Sequence, residues 1–359
     1  MRKKNWFFGI MAACILGAAL TACSSQAANK PAAGDTAKAG DAPGGATAGA
    51  DDKAVSLTLG DTWAETHPMA RAMDEVFKKQ VEEKSGGSIT VNISHNGLLG
   101  NEADLWSGVR SGTIDMAVVG TVMNQEYTKM LIADWPFLYR DINHAKSVWT
   151  GEIGDEVAVE FHEKFPTTYL LGWGPNSART FSSSKKLETV EDFNGLKLRM
   201  PNNPIHIGIA ENLGASAQTI PLGDLYSALE TGVVDGQDNG MVTILSQKFE
   251  EVQKWVYETN HIIATLQIVV SADRMDGLSE NQQNIIREAA KESSAWAWDE
   301  YIKSVDQDRE TLKEAGVTVT ALTAEDQAKI IEKIKPVYDK LYSENDWAED
   351  LVKKIQDVK

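Results

Sequence analysis

One segment of this chain occurs twice. The stretch from Asp104 to Asp115 (DLWSGVRSGTID) aligns with Asp224 to Asp235 (DLYSALETGVVD), identical at five of twelve positions at an offset of 120 residues. Each copy is preceded by a Leu-Gly pair, reads as a short helix closed by a glycine, and then enters an apolar run with strand character. Two copies are too few for a solenoid, whose stacked units need at least about three. One copy in each half instead predicts two α/β lobes of similar design, facing one another across a cleft in which a ligand can sit.

The surrounding pattern agrees with α/β architecture. Val55–Leu59 alternates apolar and polar residues as a half-buried strand does, and His67–Lys84 carries Met69, Met73, Val76, Phe77 and Val81 at helical spacing before Ser85-Gly86-Gly87. Further strands are expected at Ile89–Ile93, Ile114–Val119, Thr168–Trp173, Lys197–Met200 and Gln218–Pro221. Helices are expected at Asn101–Arg110, at 144–164 and at Asn203–Leu213. From Ser279 onward the pattern is helical, with little glycine or proline before Gly316. A helix of about 30 residues spans roughly 45 Å, enough to cross both lobes and brace a hinge.

The N-terminus reads as an address. Arg2, Lys3 and Lys4 precede an apolar stretch, Trp6–Leu20, too short for a comfortable membrane span, and the stretch ends in Leu20-Thr21-Ala22-Cys23. This is similar to the lipobox of bacterial lipoproteins, which implies cleavage before Cys23 and a lipid on its sulfur. The only other cysteine, Cys14, would leave with the signal, so neither a disulfide framework nor a cysteine zinc site is expected. Residues 24–53 are rich in Ala, Gly, Ser, Thr, Pro and Asp and cannot bury enough apolar surface to order, so they predict a flexible tether. The expected organisation is a signal at 1–22, a lipidated tether at 23–53, one lobe from 54–176 plus 265–304, and a second from 177–264 plus 305–359. Such a body is held at the outer face of a membrane.

Charge and motif content exclude several function classes. The formal net charge is −17, and loss of residues 1–22 would leave 32 basic against 52 acidic residues, a formal −20. Nucleic-acid partners are therefore not expected, since they require lysine and arginine against phosphate. No nucleophile elbow, zinc-protease, P-loop or dinucleotide motif occurs, and the six histidines (67, 95, 144, 162, 206, 261) lack metal-ligand spacing. Neither a cofactor nor enzymatic turnover is expected.

The segment from Arg179 to Asn239 carries the most specific signal. It contains Gly195–Pro201 (GLKLRMP), Leu213-Gly214-Ala215, and Pro221–Asn239 (PLGDLYSALETGVVDGQDN), followed by Lys248–Lys254 (KFEEVQK) and Thr259-Asn260-His261. In combination and at these separations the motifs closely resemble the solute-binding proteins of tripartite ATP-independent periplasmic (TRAP) transporters, a family that includes dicarboxylate and sialic acid binders. The resemblance runs from about Val55 to the last helices. It implies a two-lobed, periplasmic-binding-protein-like α/β fold with an inter-lobe ligand cleft and a long C-terminal bracing helix. It further implies an organic-anion ligand, membrane permease subunits as partners, and an extracytoplasmic location.

The resemblance places the carboxylate-binding arginine at Arg199, a second arginine at Arg179, an asparagine at Asn239 and an acid at Glu102 in the L-G-x-E stretch. A guanidinium suits that role because its planar fork pairs bidentately with a carboxylate and keeps its charge when desolvated. One departure stands at Gly240, where the family usually has proline; its expected consequence is a looser backbone beside Asn239. Glu65, His67, Asn124 and Trp173 lie at or near ends of predicted strands, which face crevices in open α/β sheets. Asn202, with Asn203 and His206, follows Arg199 at a predicted helix start, where backbone N–H groups favour an anion or the side chains cap the helix.

A polar set of Glu65, His67, Asn124, Asn202, Gln237 and Asn239 suits several hydroxyls and one carboxylate, so a sugar acid such as a hexuronate is the leading expectation. A C4-dicarboxylate, with Arg179 holding the second carboxylate, is the alternative. A binding protein serving a receptor and a secreted hydrolase of acidic sugars are the readings from other classes.

Overall fold

The computed structural model describes residues 52–120 and 122–359. The signal, Cys23 and nearly all of the tether lie outside the described residues. Within them, strands β1 (Val55–Gly60), β2 (Ile89–Ser94) and β3 (Met116–Val119) form first in chain order, and β1 pairs in parallel with both β2 and β3. The alternation read in β1 is a burial pattern: Leu57 and Leu59 are fully enclosed, while Ser56 and Thr58 are less so.

Two long strands, β4 (Thr168–Ser183) and β8 (Trp255–Ser271), run antiparallel along nearly their whole lengths of 16 and 17 residues. At about 3.3 Å per residue each reaches roughly 50 Å. Between them in sequence lie β5 (Lys197–Met200), β6 (Ser216–Thr219) and β7 (Gly236–Asn239), with β9 (Thr318–Ala321) near the C-terminus. The sheet order is β2-β1-β3-β8-β4-β7-β5-β6, with β9 added to β8. β3 meets the Gln267–Val270 end of β8, whereas β7 meets the Thr180–Ser183 end of β4. One sheet thus has two halves, joined by β4 and β8 alone.

The duplicated segment explains this arrangement. Helix Glu102–Ser111 ends at Gly112 (φ 73°) and leads to β3; helix Leu222–Glu230 is followed by Gly232 (φ 71°) and leads to β7. Left-handed backbone at both stops is what glycine supplies at low cost. The two copies therefore take equivalent places on opposite flanks of the shared strands.

The structure extends or corrects four elements. The strand expected at Thr168–Trp173 continues to Ser183, because Gly172 and Pro175 border register shifts within β4 instead of marking its end, and Gly174 pairs in regular register between them. Gly172 also admits the long helix: a Cβ there would stand 2.4 Å from Ser294 Oγ. The helix expected over 144–164 is two, Ile142–Trp149 and Glu152–Lys164, broken where Gly151 takes extended backbone. The strand expected at Gln218–Pro221 sits two residues earlier, in parallel register with β5. The C-terminal third is not helical throughout, since β9 interrupts it to pair with β8.

The expected long helix is Glu280–Glu314, 35 residues and about 52 Å at 1.5 Å per residue. It packs on the helical segment 68–84, on β4, on helix Met241–Ser246 and on β9, so it runs along both halves of the sheet. Segment 68–84 itself contains a π-helical turn at Met73–Lys78. Separate apolar clusters serve the two halves, one around Leu57, Phe77 and Ile286 and another around Leu225, Phe249 and Leu312. A third and larger cluster links Trp149 and Trp173 to Leu198, Ile334 and Ile355.

Candidate ligand-binding site

A cavity of about 670 Å³ opens where the parallel strands of both halves end. Thr62 and Trp63 follow β1, Gly120 and Asn124 follow β3, Pro201–Asn203 and His206 follow β5, and Ile220–Asp224 follow β6. Asn239 closes β7, and Asn176, Arg179 and Thr265 come from the crossing strands. Carboxyl ends of strands, where the chain leaves the sheet and side chains are released from ladder packing, are the usual location for ligands in α/β sheets.

Arg199, near the end of β5, is the cation aimed at this space. Only 5% of its surface is exposed, and its Nε donates to the Ile220 carbonyl at 2.7 Å. Among the described residues no carboxylate lies within ion-pairing distance of it. Burial, together with the charge of Arg179, pushes its guanidinium down to about 10.

Arg179 differs, because its charge is already answered. Its Nε donates to Asp238 Oδ1 at 2.7 Å, and its Nη2 to the Asp238 carbonyl. Asp238 Oδ2 accepts from His206 Nδ1 at 2.7 Å, and Asp134 lies 3.5 Å from His206 Nε2 while accepting from Asn203 Nδ2 at 2.7 Å. Burial would raise Asp238, but Arg179, His206 and His261 hold it well below the usual carboxylate range. Burial and Arg179 would lower His206, and the facing carboxylates raise it instead. Arg179 and His206 therefore face Asp238 and Asp134 in and behind the cavity wall, and such pairing is the condition for keeping these groups buried.

Glu102 opens helix Glu102–Ser111, whose start is fixed by Asn101 accepting from Ala103 and Asp104 N–H. Its Oε1 accepts from Gly120 N at 2.8 Å. Burial raises its carboxyl, against the opposing pull of that hydrogen bond and of Arg199 and Arg179. Asn239 is held by Gln237, whose Oε1 accepts from Asn239 Nδ2 at 2.6 Å. The glycine at position 240 tightens this corner instead of loosening it. Gly240 N donates to Ser177 Oγ at 3.0 Å, a bond proline could not make, and a Cβ would stand 2.2 Å from Ser177 Cβ.

Of the residues singled out in the sequence, the structure brings Arg199, Arg179, Asn239, Glu102, Asn124 and Asn202, with Asn203 and His206, to the cavity and leaves four outside its lining. Glu65 is exposed on the turn before helix Pro68–Ala72. His67 is fully buried as that helix's N-cap, accepting from Met69 N and donating to the Asn176 carbonyl, and burial pushes it down to about 4, so it is neutral. Trp173 stacks on Trp149 at 4.3 Å and donates to the Gly154 carbonyl, a core role. Gln237 lies behind Asn239, donating to Ser182 Oγ.

Trp63, Thr62, Asn176 and Asp134 line the cavity without having been anticipated. Trp63 and Thr62 were within reach of the strand-end rule; Asn176 and Asp134 were not, because bulges and a 3₁₀ segment aim them. Thr62 Oγ1 and Asn176 Oδ1 are buried without a hydrogen-bond partner among the described residues. Such groups are costly unless something fills them.

A second cavity, about 820 Å³, lies against Glu258–His261 and residues 302–313 of the long helix. Its charged side chains are engaged already: Arg309 with Glu258 and Asp306, and Arg140 with the Gln356 and Val358 carbonyls. Of these two cavities, the one at Arg199 combines a buried cation lacking an ion partner among the described residues with orphaned polar atoms.

Residues 59–345 match the model of the bacterial extracellular solute-binding proteins, family 7 (DctP). The chain belongs to this family. Family 7 proteins are the solute-binding components of TRAP transporters, periplasmic in those systems, and the two-lobed α/β fold described above is theirs. The 2,3-diketo-L-gulonate-binding periplasmic protein YiaO of Escherichia coli is 30% identical over 285 residues, 79% of either chain. A TRAP periplasmic solute-binding protein of Haemophilus influenzae, solved with bound L-gulonate, superposes with a TM-score of 0.81 at 30% identity, covering 85% of this chain and 100% of the other. The sugar acid-binding protein of Advenella mimigardefordensis, solved with galactonate, superposes with a TM-score of 0.81 at 28% identity, covering 86% and 98%.

Proposed function

We propose that this family 7 protein captures a sugar acid bearing one carboxylate, a hexonate or hexuronate, and delivers it to a membrane permease. The observation that carries the reading is the contrast between the two arginines: Asp238 answers Arg179, whereas Arg199 has no ion partner among the described residues. The cavity therefore asks for one anionic group. The uncharged polar groups of the lining are amides and hydroxyls, among them Thr62, Asn96, Asn176, Asn202, Thr219 and Asn239, and these suit a polyol chain or ring. Glu102 across the same space accepts hydrogen bonds from hydroxyls and disfavours a second ligand carboxylate. Relatives at 28–30% identity named for gulonate, diketogulonate and galactonate binding agree with this chemistry.

Binding closes the two lobes about the β4–β8 crossing, the ligand selecting the closed form by touching both sides. Cys23 carries the lipid that holds the protein at the membrane; Cys23→Ser would move it from the membrane fraction to the soluble one. The experiment that tests the ligand class is a thermal-shift screen of protein unfolded and refolded to strip carried ligand. A ligand at 100 times its Kd adds about 2.7 kcal/mol. Shifts with hexonates or hexuronates and none with succinate support the reading; shifts only with dicarboxylates or neutral sugars overturn it.

A further inference from the structure

His95 belongs to neither the cavity lining nor the buried network around Asp238, yet both of its ring nitrogens meet carboxylates close to the site. Its Nδ1 meets Asp61 Oδ2 at 2.7 Å and its Nε2 meets Asp74 Oδ2 at 3.0 Å. Asp61 lies just past β1 with 1% exposure, and Asp74 belongs to the π-helical turn Met73–Lys78. A carboxylate this deeply buried requires a partner, and His95 supplies it.

Asp61 is also the knot that ties two loops together. Its Oδ1 accepts from Trp63 N at 3.0 Å, and its carbonyl accepts from Gly97 N at 2.9 Å, while Asn96 N donates to the Trp63 carbonyl at 3.0 Å. These loops, Asp61–Trp63 and Asn96–Gly100, form one wall of the cavity through Thr62, Trp63, Asn96 and Gly97. The second loop has left-handed backbone at a non-glycine, Asn96 at φ 57°, beside Gly97 at 68° and Gly100 at 116°, where glycine takes positive φ at low cost. Left-handed backbone at a non-glycine persists only where surrounding contacts hold it.

We propose that His95 is a positioning residue for ligand capture: by bridging Asp61 and Asp74 it holds the two loops of this wall in the geometry that binding requires. The proposal rests on the cavity being the ligand site. Asp61 and Asp74 are the two charged groups that act on His95; burial lowers its pKa, but the two carboxylates outweigh it and raise it to about 9. The clamp is therefore closed at neutral pH and opens as the proton leaves.

The test has an arm without ligand and an arm with it. Hydrogen exchange at the Trp63, Asn96 and Gly97 amides should accelerate in His95→Ala, with the β5–β7 half unchanged. The affinity probe is whichever of L-gulonate, galactonate, D-glucuronate and D-galacturonate most stabilises the wild type. His95→Ala should bind it about tenfold or more weakly, and His95→Asn, whose amide can donate to Asp61, should recover to within about threefold. Wild-type affinity should fall as pH rises through about 9, the fall should move to lower pH in Asp74→Asn, and it should be absent from His95→Asn; a fall that persists there belongs to Arg199.

Unchanged exchange together with affinity within twofold of wild type in His95→Ala overturns the proposal. If His95→Ala does not fold, the displaced pH step of Asp74→Asn decides, and an undisplaced step overturns it. Arg199→Ala run alongside separates the two claims: normal binding by that variant refutes the cavity assignment, whereas the exchange arm still judges His95.

Discussion

Replacing Arg199 by alanine should change ligand binding and apo stability in opposite directions. The guanidinium is 5% exposed, and its pKa falls from 12.5 to about 10 on folding, through burial first and Arg179 second. A shift of that size corresponds to roughly 3 kcal/mol spent holding the charge buried beside Arg179 in the free protein. Alanine recovers this and loses the hydrogen bond to the Ile220 carbonyl, about 1 kcal/mol. The apo protein should therefore melt at the wild-type temperature or a few degrees higher, at about 2–4 °C per kcal/mol. Losing the desolvated partner of the ligand carboxylate should meanwhile cost about 2–5 kcal/mol of binding, roughly 30- to 5,000-fold in Kd. Arg199→Lys should recover little, because it lacks the planar fork. Titration calorimetry with the best sugar acid gives Kd, and calorimetric melting gives apo stability. Affinity within threefold of wild type would refute the assignment of Arg199 as the anion receptor. A variant several degrees less stable in the apo state would refute the electrostatic argument, since it would mean the charge is compensated in the free protein.

Asp238→Asn should break the balanced network and cost about 3–5 kcal/mol of stability, read by denaturant unfolding. Its pH signature is distinct: a carboxyl held below its unfolded value of 3.8 contributes stability that is full above that pH and is lost as pH falls through the lower folded value. The wild type should thus lose stability below about pH 4 more steeply than the variant; parallel acid limbs would contradict the pairing. Trp173→Ala should cost about 3–5 kcal/mol of stability by opening the core against Trp149, while Kd at a temperature where the variant is folded stays within about threefold; a larger loss would return Trp173 to the site. Glu102→Gln should narrow the preference for monocarboxylate sugar acids over succinate by about tenfold or more, since like charges across a closed site cost several kcal/mol. Competition binding measures this, and an unchanged ratio would show that Glu102 plays no part in rejecting a second carboxylate.

Periodicity and motif spacing located most elements because both are local properties. The alternation in Val55–Leu59, the glycine stops after the two copies of the repeated segment, and the helix running from Ser279 to Gly316 all report which face of each element must be buried. Arg199, Arg179, Asn239 and Glu102 were legible from the family resemblance, and strand-end logic extends to Trp63. Glycine and proline positions are where local reading fails. Gly172, Gly174 and Pro175 have the composition of a stop, and only pairing with β8 across three register shifts shows that β4 continues through them. Gly240 has the composition of a relaxed position, and only the approach of Ser177 shows that it is tight.

What the sequence determined by itself was the repertoire: two similar α/β units, a long brace, an acidic body without catalytic motifs, and an arginine suited to a carboxylate. What tertiary structure alone decided was which charges remain available. Arg179 and Arg199 are indistinguishable as residues 20 positions apart. They become different when β7 brings Asp238 into an ion pair with Arg179 while no carboxylate among the described residues reaches ion-pairing distance of Arg199, since the Coulomb energy of a buried ion depends on what lies within a few ångströms in space. The same reasoning removes Trp173 and His67 from the cavity and makes His95 a clamp: His95 meets Asp61 and Asp74 only because β1, β2 and a π-helical turn converge.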